Sequence, residues 1–180
     1  MYESGNPDNA LELLGGIDDG NYNNYASNNF EIGSTTYDFH DAYDDAYTDW
    51  YYSVSSLLIH DSTGGSTKLI FYAGDYGELG INGWASFYLN GDLVQDCRAC
   101  VIEDNYDQAR TYLNAHDLED DGAFSAAQVE AVATHEIGHA FGLAHEDDED
   151  AVMNSNNVGT GNYNVLSDDA DGVENLYKNN

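Results

Sequence analysis

Within "VATHEIGHAFGLAH", Val132 to His145, three of the chain's six histidines sit at offsets of four and then six. Residues four apart on a helix lie on one face, one turn above the other. The spacing therefore aims His135 and His139 at a single ion. His145 cannot join them from the same helix. Gly142 supplies the way back, because glycine accepts the positive φ that a sharp turn requires. His145, three residues later, then swings toward the other two. Zinc suits imidazole, and a catalytic zinc keeps three protein ligands and a water. Glu136 falls on the neighbouring face, beside the ion, where it is free to handle protons.

A helix with good boundary signals carries this run. Ser125 precedes "AAQVE" and Gln128 follows three residues later, the pattern of a capping box. The helix is expected to end at Gly142. Upstream, "NNFEIGSTTYDF" alternates as a strand does. "HDAYDDAYTDWYYSV" follows as a helix, with Ala42, Tyr43, Ala46, Tyr47 and Trp50 forming a core-facing stripe. "SSLLIHDS" and "TKLIFYAGD" are expected as strands around the turn "TGGS". "GWASFYLNG" and "ACVIED" are expected as two more, joined by a turn that contains the cysteines. Asn105 to Gly122 is ambiguous, a short helix followed by the acidic loop "HDLEDDGAF". A closing helix over "LSDDADGVENLYK" takes Ser167 as its cap and acidic residues in its first turn. Residues 1–28, rich in Asn, Gly, Asp and Tyr, read as a loosely ordered leader or arm before one domain, 29–180.

The charge narrows the partners. Asp and Glu number 34 against 4 Lys and Arg, a formal net charge of −30. Phosphate binding needs basic residues to replace counterions, so nucleic acid is disfavoured. Anionic membrane surfaces are disfavoured for the same reason, and no apolar run is long enough to span a bilayer. Acidic side chains with almost no lysine fit a halophile's surface, which repels itself in dilute buffer and is screened in concentrated salt. Cys97 and Cys100 are too few for a disulfide scaffold; a local disulfide or two free thiols is expected.

His135, Glu136, His139, Gly142, His145 and then Met153 complete H-E-x-x-H-x-x-G-x-x-H with a following Met-turn, the metzincin pattern. The chain resembles the matrixin branch of the metzincin zinc proteases (peptidase M10 type) over most of residues 29 to 178. The short step from His145 to Met153 is matrixin-like. "DAYTDW" resembles the matrixin first helix, "GSTKLIFYAGDYG" its third strand and next loop, and "LSDDADGVENLY" its closing helix. Glu146 is a departure, since matrixins carry Ser there and astacins Glu; Tyr163 as a further ligand would favour an astacin-like placement.

The resemblance implies an α+β fold: a twisted, mixed five-stranded sheet with three helices, and a cleft above the helix carrying HExxH. It implies a zinc endopeptidase with Glu136 as general base, His135, His139 and His145 on zinc, and Met153 as an apolar floor. "GWASFYLNG" is expected to form the cleft's rim, offering an edge to substrate. One zinc is expected, since the segments that hold a second in vertebrate matrixins lack histidine here. No cysteine in the leader could block it. Calcium near "GDYGELG" is compatible with the resemblance, whereas the loop from Asp117 to Gly122 departs from an EF-hand and is read as solvated. His40, His60 and His116 are expected to be surface or hydrogen-bonded residues. The partner implied is a peptide or protein substrate of a monomeric, extracellular enzyme, although the chain starts without a signal-peptide pattern. The competing reading is an acidic binding or surface protein with a structural or vestigial zinc.

Overall fold

The computed structural model describes residues 21–54, 60–61, 68–97, 106–147, 150–161 and 163–177. Its main sheet runs in the order β4-β1-β5-β8-β6-β7. The strands are β1 (Asn21–Asn24), β4 (His60–Asp61), β5 (Leu69–Gly74), β6 (Gly83–Leu89), β7 (Asp92–Cys97) and β8 (Gln108–Asn114). β1 runs parallel to both β4 and β5, and β5 runs parallel to β8. β6 is antiparallel to both β8 and β7. With β4 reduced to two residues, the sheet is the mixed five-stranded one that was expected. Three long helices pack with it: α1 (Phe39–Ser53), α3 (Ala126–Ala140) and α5 (Ser167–Tyr177); α2 (Ala115–Asp120) and α4 (Asn157–Thr160) are short.

Side chains in the sheet alternate between its faces. Leu69 and Phe71 of β5, Ala109 and Leu113 of β8, and Ala85 and Phe87 of β6 are buried together with Trp50, Ile137 and Phe141 of the helical layer. The aromatic stripe of α1 is core, as expected: Tyr43 stacks on Phe71 and Trp50 meets Phe141 edge-on. The Trp50 indole also donates to Thr134 O at 2.9 Å, fastening α1 to α3. Every residue of α3 from Ala131 to Ala140 is buried, so this helix is enclosed rather than half-exposed.

Several expected elements fall elsewhere. β1 lies inside the stretch read as a leader, so the folded sheet already includes Asn21 to Asn24. "NNFEIGSTTYDF" is a small hairpin, β2 (Phe30–Ile32) with β3 (Thr35–Tyr37), apart from the main sheet. The partner of β6 is Asp92 to Cys97, the segment expected as a turn. Asn90 and Gly91 both take positive φ, 54° and 87°, which makes a two-residue hairpin turn and starts the return strand at once. "ACVIED" and Cys100 lie outside the described residues, as does most of "SSLLIHDS". The ambiguous stretch contains β8, a central strand, followed by α2 where an acidic loop was expected. The inward face of β8 is Ala109, Thr111 and Leu113, too small and polar to advertise a buried strand.

Candidate metal centre

α3 begins as its sequence dictates. Ser125 and Gln128 form the reciprocal capping box. It ends in a Schellman turn: Gly142 takes φ 97°, its N–H reaches His139 O at 2.8 Å, and Leu143 N–H reaches Gly138 O at 3.1 Å. Tyr106 and Tyr177 hydroxyls donate to Ala140 O and Phe141 O, so the last carbonyls of the helix are satisfied from two sides. The fixed end of α3 directs the chain back, and His145 meets the helical pair.

The three imidazoles converge. His145 Nε2 lies 3.1 Å from His135 Nε2 and 3.2 Å from His139 Nε2. Nitrogens about 2.0–2.1 Å from a tetrahedral zinc are separated by about 3.3 Å, so the spacing fits such an ion. The opposite ring nitrogens set the tautomer. His135 Nδ1 donates to Val152 O and His139 Nδ1 donates to Leu143 O, both at 2.8 Å, which leaves Nε2 of each as a lone pair facing the centre. Burial holds the His135 pKa down to about 4, a backbone hydrogen bond opposing it only in part. Burial likewise drives His139 well below its usual range and lowers His145. All three are thus shifted toward the neutral imidazole, the form that binding a metal requires. Among the described residues no other set of three or more His, Cys, Asp or Glu residues converges in this way.

Glu136 lies beside them, buried, its Oε2 without a hydrogen-bond partner among the described residues. Burial raises its pKa to about 8. A buried acceptor left unpaired is costly. β6 bounds it: a Cβ on Gly83 would come within 2.8 Å of the Glu136 Cγ and Oε1. The backbone can approach the carboxylate only because residue 83 is glycine.

Beneath the histidines, Met153 packs against α3, which takes a glycine, Gly138, at the point of contact. A Cβ there would collide with the Met153 sulfur and lie 2.9 Å from Trp50 Cζ2. The turn around Met153 is held from α5. Asp169 accepts from Val152 N (3.0 Å), Met153 N (3.2 Å) and Leu166 N (2.9 Å). The Leu166 contact makes Asp169, rather than Ser167, the group that caps α5. Glu146 N–H closes the ring on Met153 O at 3.0 Å.

The expectations meet the geometry unevenly. His135, Glu136, His139, His145, Gly142 and Met153 are assembled in one place. His40 lies 3.4 Å from Asp44 and His116 lies between Asp75 and Asp120, both as surface pairs. The His60 side chain is outside the description. Asp117 is not a solvated loop residue; it is buried and accepts three hydrogen bonds. β6 is not a free edge, because β7 pairs with it from Ala85 to Leu89. Only Gly83 and Trp84, the residues beside Glu136, have no β7 partner among the described residues. Asp169, Gly138 and Gly83 were missed. An acidic residue in a first turn and isolated glycines give no sign in the sequence of what they touch.

The sequence profile of Matrixin, peptidase M10, matches residues 19–178. Metalloendoproteinase 1-MMP of Arabidopsis thaliana is 35% identical over 126 residues, 69% of this chain and 33% of that protein. Metalloendoproteinase 4-MMP of the same plant is 30% identical over 135 residues, 71% of this chain and 36% of that protein. Human neutrophil collagenase is 46% identical over 48 residues, 26% of this chain and 10% of its own length. The chain thus spans about a third of the length of the plant relatives. Among solved structures, a chain of "GM1 bound form of the ECX AB5 holotoxin" superposes with a TM-score of 0.60 at 14% identity, covering 94% of this chain and 85% of that one, a likeness of fold alone. With the profile spanning both the sheet and the histidine-bearing helix, the chain belongs to the matrixin family of metallopeptidases.

Proposed function

We propose that the chain is a zinc-dependent endopeptidase that hydrolyses peptide bonds, with His135, His139 and His145 as the metal ligands and Glu136 as general base. The observation that carries the proposal is three imidazoles at tetrahedral spacing with the buried Glu136, next in the chain to His135, whose Oε2 has no hydrogen-bond partner among the described residues. Zinc, held there, supplies Lewis acidity that makes water a nucleophile near neutral pH and polarises a carbonyl. Glu136 takes the proton from the attacking water and passes it to the departing amine. Its buried setting suits that exchange, since burial raises its proton affinity toward neutral pH. Val152 O and Leu143 O keep the ring orientations of His135 and His139 fixed while this happens. Met153 keeps the floor apolar. An extended peptide lies beside Gly83, the residue packed against the Glu136 carboxylate.

A structural zinc site recruits a fourth protein ligand; among the described residues the group offers three, which favours a peptidase over an acidic binding protein. One zinc, an extracellular setting and a protein substrate complete the proposal. The test is digestion of an unfolded protein such as casein in concentrated salt, with and without a chelator, by the wild type and by Glu136→Ala. Chelator-sensitive cleavage is expected from the wild type. The variant is expected to keep its zinc and lose about 10²–10⁴-fold in turnover. Zinc-loaded wild type without cleavage overturns the peptidase; full turnover by the variant removes Glu136 from the mechanism.

A further inference from the structure

The loop from Asp75 to Asn82 joins β5 to β6 and delivers Gly83 against the Glu136 carboxylate. Two buried residues at the start of α2 hold it. Asn114, fully buried at the end of β8, uses its N–H and its side-chain amide on this loop and on α2. Its N–H donates to Asn82 O (2.8 Å), its Oδ1 accepts from Tyr76 N (3.1 Å) and its Nδ2 donates to Gly77 O (3.0 Å) and Asp117 Oδ2 (2.7 Å). Asp117 Oδ2 also accepts from Leu79 N and Ile81 N, each at 3.1 Å. Thus five bonds tie residues 76 to 82 to Asn114 and Asp117. Hydrogen bonds from amides to a carboxylate are of the stronger, charge-assisted kind.

We infer that Asn114 and Asp117 form a cation-independent clamp that positions the general base, by fixing the loop whose last residue leads into Gly83. The inference rests on the peptidase reading for its kinetic part only. Calcium requires six to eight oxygen ligands. The groups turned toward Asp117 Oδ2 are instead N–H donors, from Leu79, Ile81 and Asn114, so the carboxylate already has the partners a cation would replace. Asn114 and Asp117 are positioning residues. Their effect reaches Glu136 through the backbone, because a carboxylate packed this closely against Gly83 follows any movement of the start of β6.

The experiment uses the zinc-loaded full chain in concentrated salt, as wild type, Asp117→Ala, Gly83→Ala and the double variant. Asp117→Asn, which keeps an accepting oxygen without the charge, stands in if the alanine variant does not fold. Amide exchange at Leu79 and Ile81, zinc content, kcat and KM on casein-derived peptide are measured, with and without millimolar calcium chloride. In Asp117→Ala, exchange at both amides is expected to rise at least about tenfold with zinc content unchanged. Its kcat is expected to fall about 10- to 100-fold while KM holds within about threefold, the scale of a small misplacement of a catalytic group. Gly83→Ala is expected to lower kcat without raising that exchange, and the double variant to lose no more than the worse single, as residues on one line of action do. Calcium is expected to change neither exchange nor kcat of the wild type. Unchanged exchange in Asp117→Ala, a lowered melting temperature with kcat per zinc-loaded chain intact, fully multiplicative losses, or calcium-induced protection of Leu79 and Ile81 would each overturn the clamp. A wild type that cleaves nothing would sink the peptidase reading, and the exchange and calcium arms would still decide the clamp.

Discussion

Gly138→Ala sets two physical effects of opposite sign against each other in the middle of α3. Alanine is favoured over glycine in a helix interior by about 1 kcal/mol. On that ground alone the substitution stabilises, and melting rises by about 2–4 °C for a chain of this size. The new methyl, however, would collide with the Met153 sulfur and stand 2.9 Å from Trp50 Cζ2. Met153 can bend at its far end, but Trp50 cannot retreat. Its ring is fully buried, hydrogen-bonded to Thr134 O and edge-on to Phe141. Overpacking of this kind costs about 1–3 kcal/mol, with more where a rigid ring is the obstacle. The net expectation is a loss of about 1–2 kcal/mol, a fall of roughly 2–8 °C in melting temperature. Zinc affinity should fall with it, since the turn that moves carries Val152 O, the partner of His135 Nδ1. The assay is thermal unfolding with and without added zinc, followed by zinc content after dialysis. A second-site variant separates the causes: Met153→Ala in the Gly138→Ala background should cost less than the sum of the two, because the methyl then has room. A rise in melting temperature for Gly138→Ala would show that propensity wins and that the contact is not tight.

Asp169→Ala strands three backbone N–H groups, and the gain from no longer burying a carboxylate offsets only part of that; a loss of about 2–4 kcal/mol by denaturant titration is expected, and less than about 1 kcal/mol would mean the Met-turn holds itself. Chelation removes a ligand expected to bind only the folded state, so stability should fall by an amount that depends on free zinc, about 2.7 kcal/mol at a hundredfold excess over Kd, and the melting temperature with it. A melting curve indifferent to chelator would show that zinc is not bound by the folded chain. With a net charge of −30, stability should climb as salt is raised into the molar range, read as melting temperature against concentration. A flat response would remove the argument that the acidic surface is a solvation device.

What could be read in advance follows from how far each signal travels along the chain. A capping box, a glycine at a helix end and histidines four apart are local patterns, each enforced by geometry within one or two turns. They gave α3, its end and the convergence of the imidazoles. The strands divide by the same rule. β5 and β6 carry large apolar residues and were visible, whereas β8 buries Ala109 and Thr111 and was not. Asp92 to Cys97 was hidden by its polarity, since Leu93 and Val94 of this outer strand are exposed and no buried face imposes alternation. Asp117 was misread for a related reason. In a chain with 34 acidic residues, the one that accepts three hydrogen bonds looks like all the others.

The same limit explains why the contacts that support the three-histidine group were missed while the histidines were not. The histidines and Glu136 belong to one continuous segment, but each support acts across the fold: Asp169 from α5 on the Met-turn, Gly83 from β6 on Glu136, Met153 on Gly138 of α3. Their contacts form a closed circuit. His135 leans on Val152, Val152 and Met153 hang on Asp169, Met153 O holds Glu146, and Glu146 follows His145 directly in the chain. A metal ligand on a mobile turn would add the cost of ordering that turn to every binding event. Here the backbone bonds have already met that cost. The acidic side chains of the circuit, Asp169 and Glu146, are buried, and exposed Asp147, which acts on His145 and His135, is itself held by Ser155 N–H, so the salt that stabilises the surface should leave the spacing of the three imidazoles alone. High salt would then raise the melting temperature without changing the intrinsic zinc affinity. Titration of zinc with a competing chelator at two salt concentrations, corrected for ionic effects on the chelator, reads this directly. An affinity that collapses in dilute salt while the chain is still folded would show that the surface field reaches the site after all.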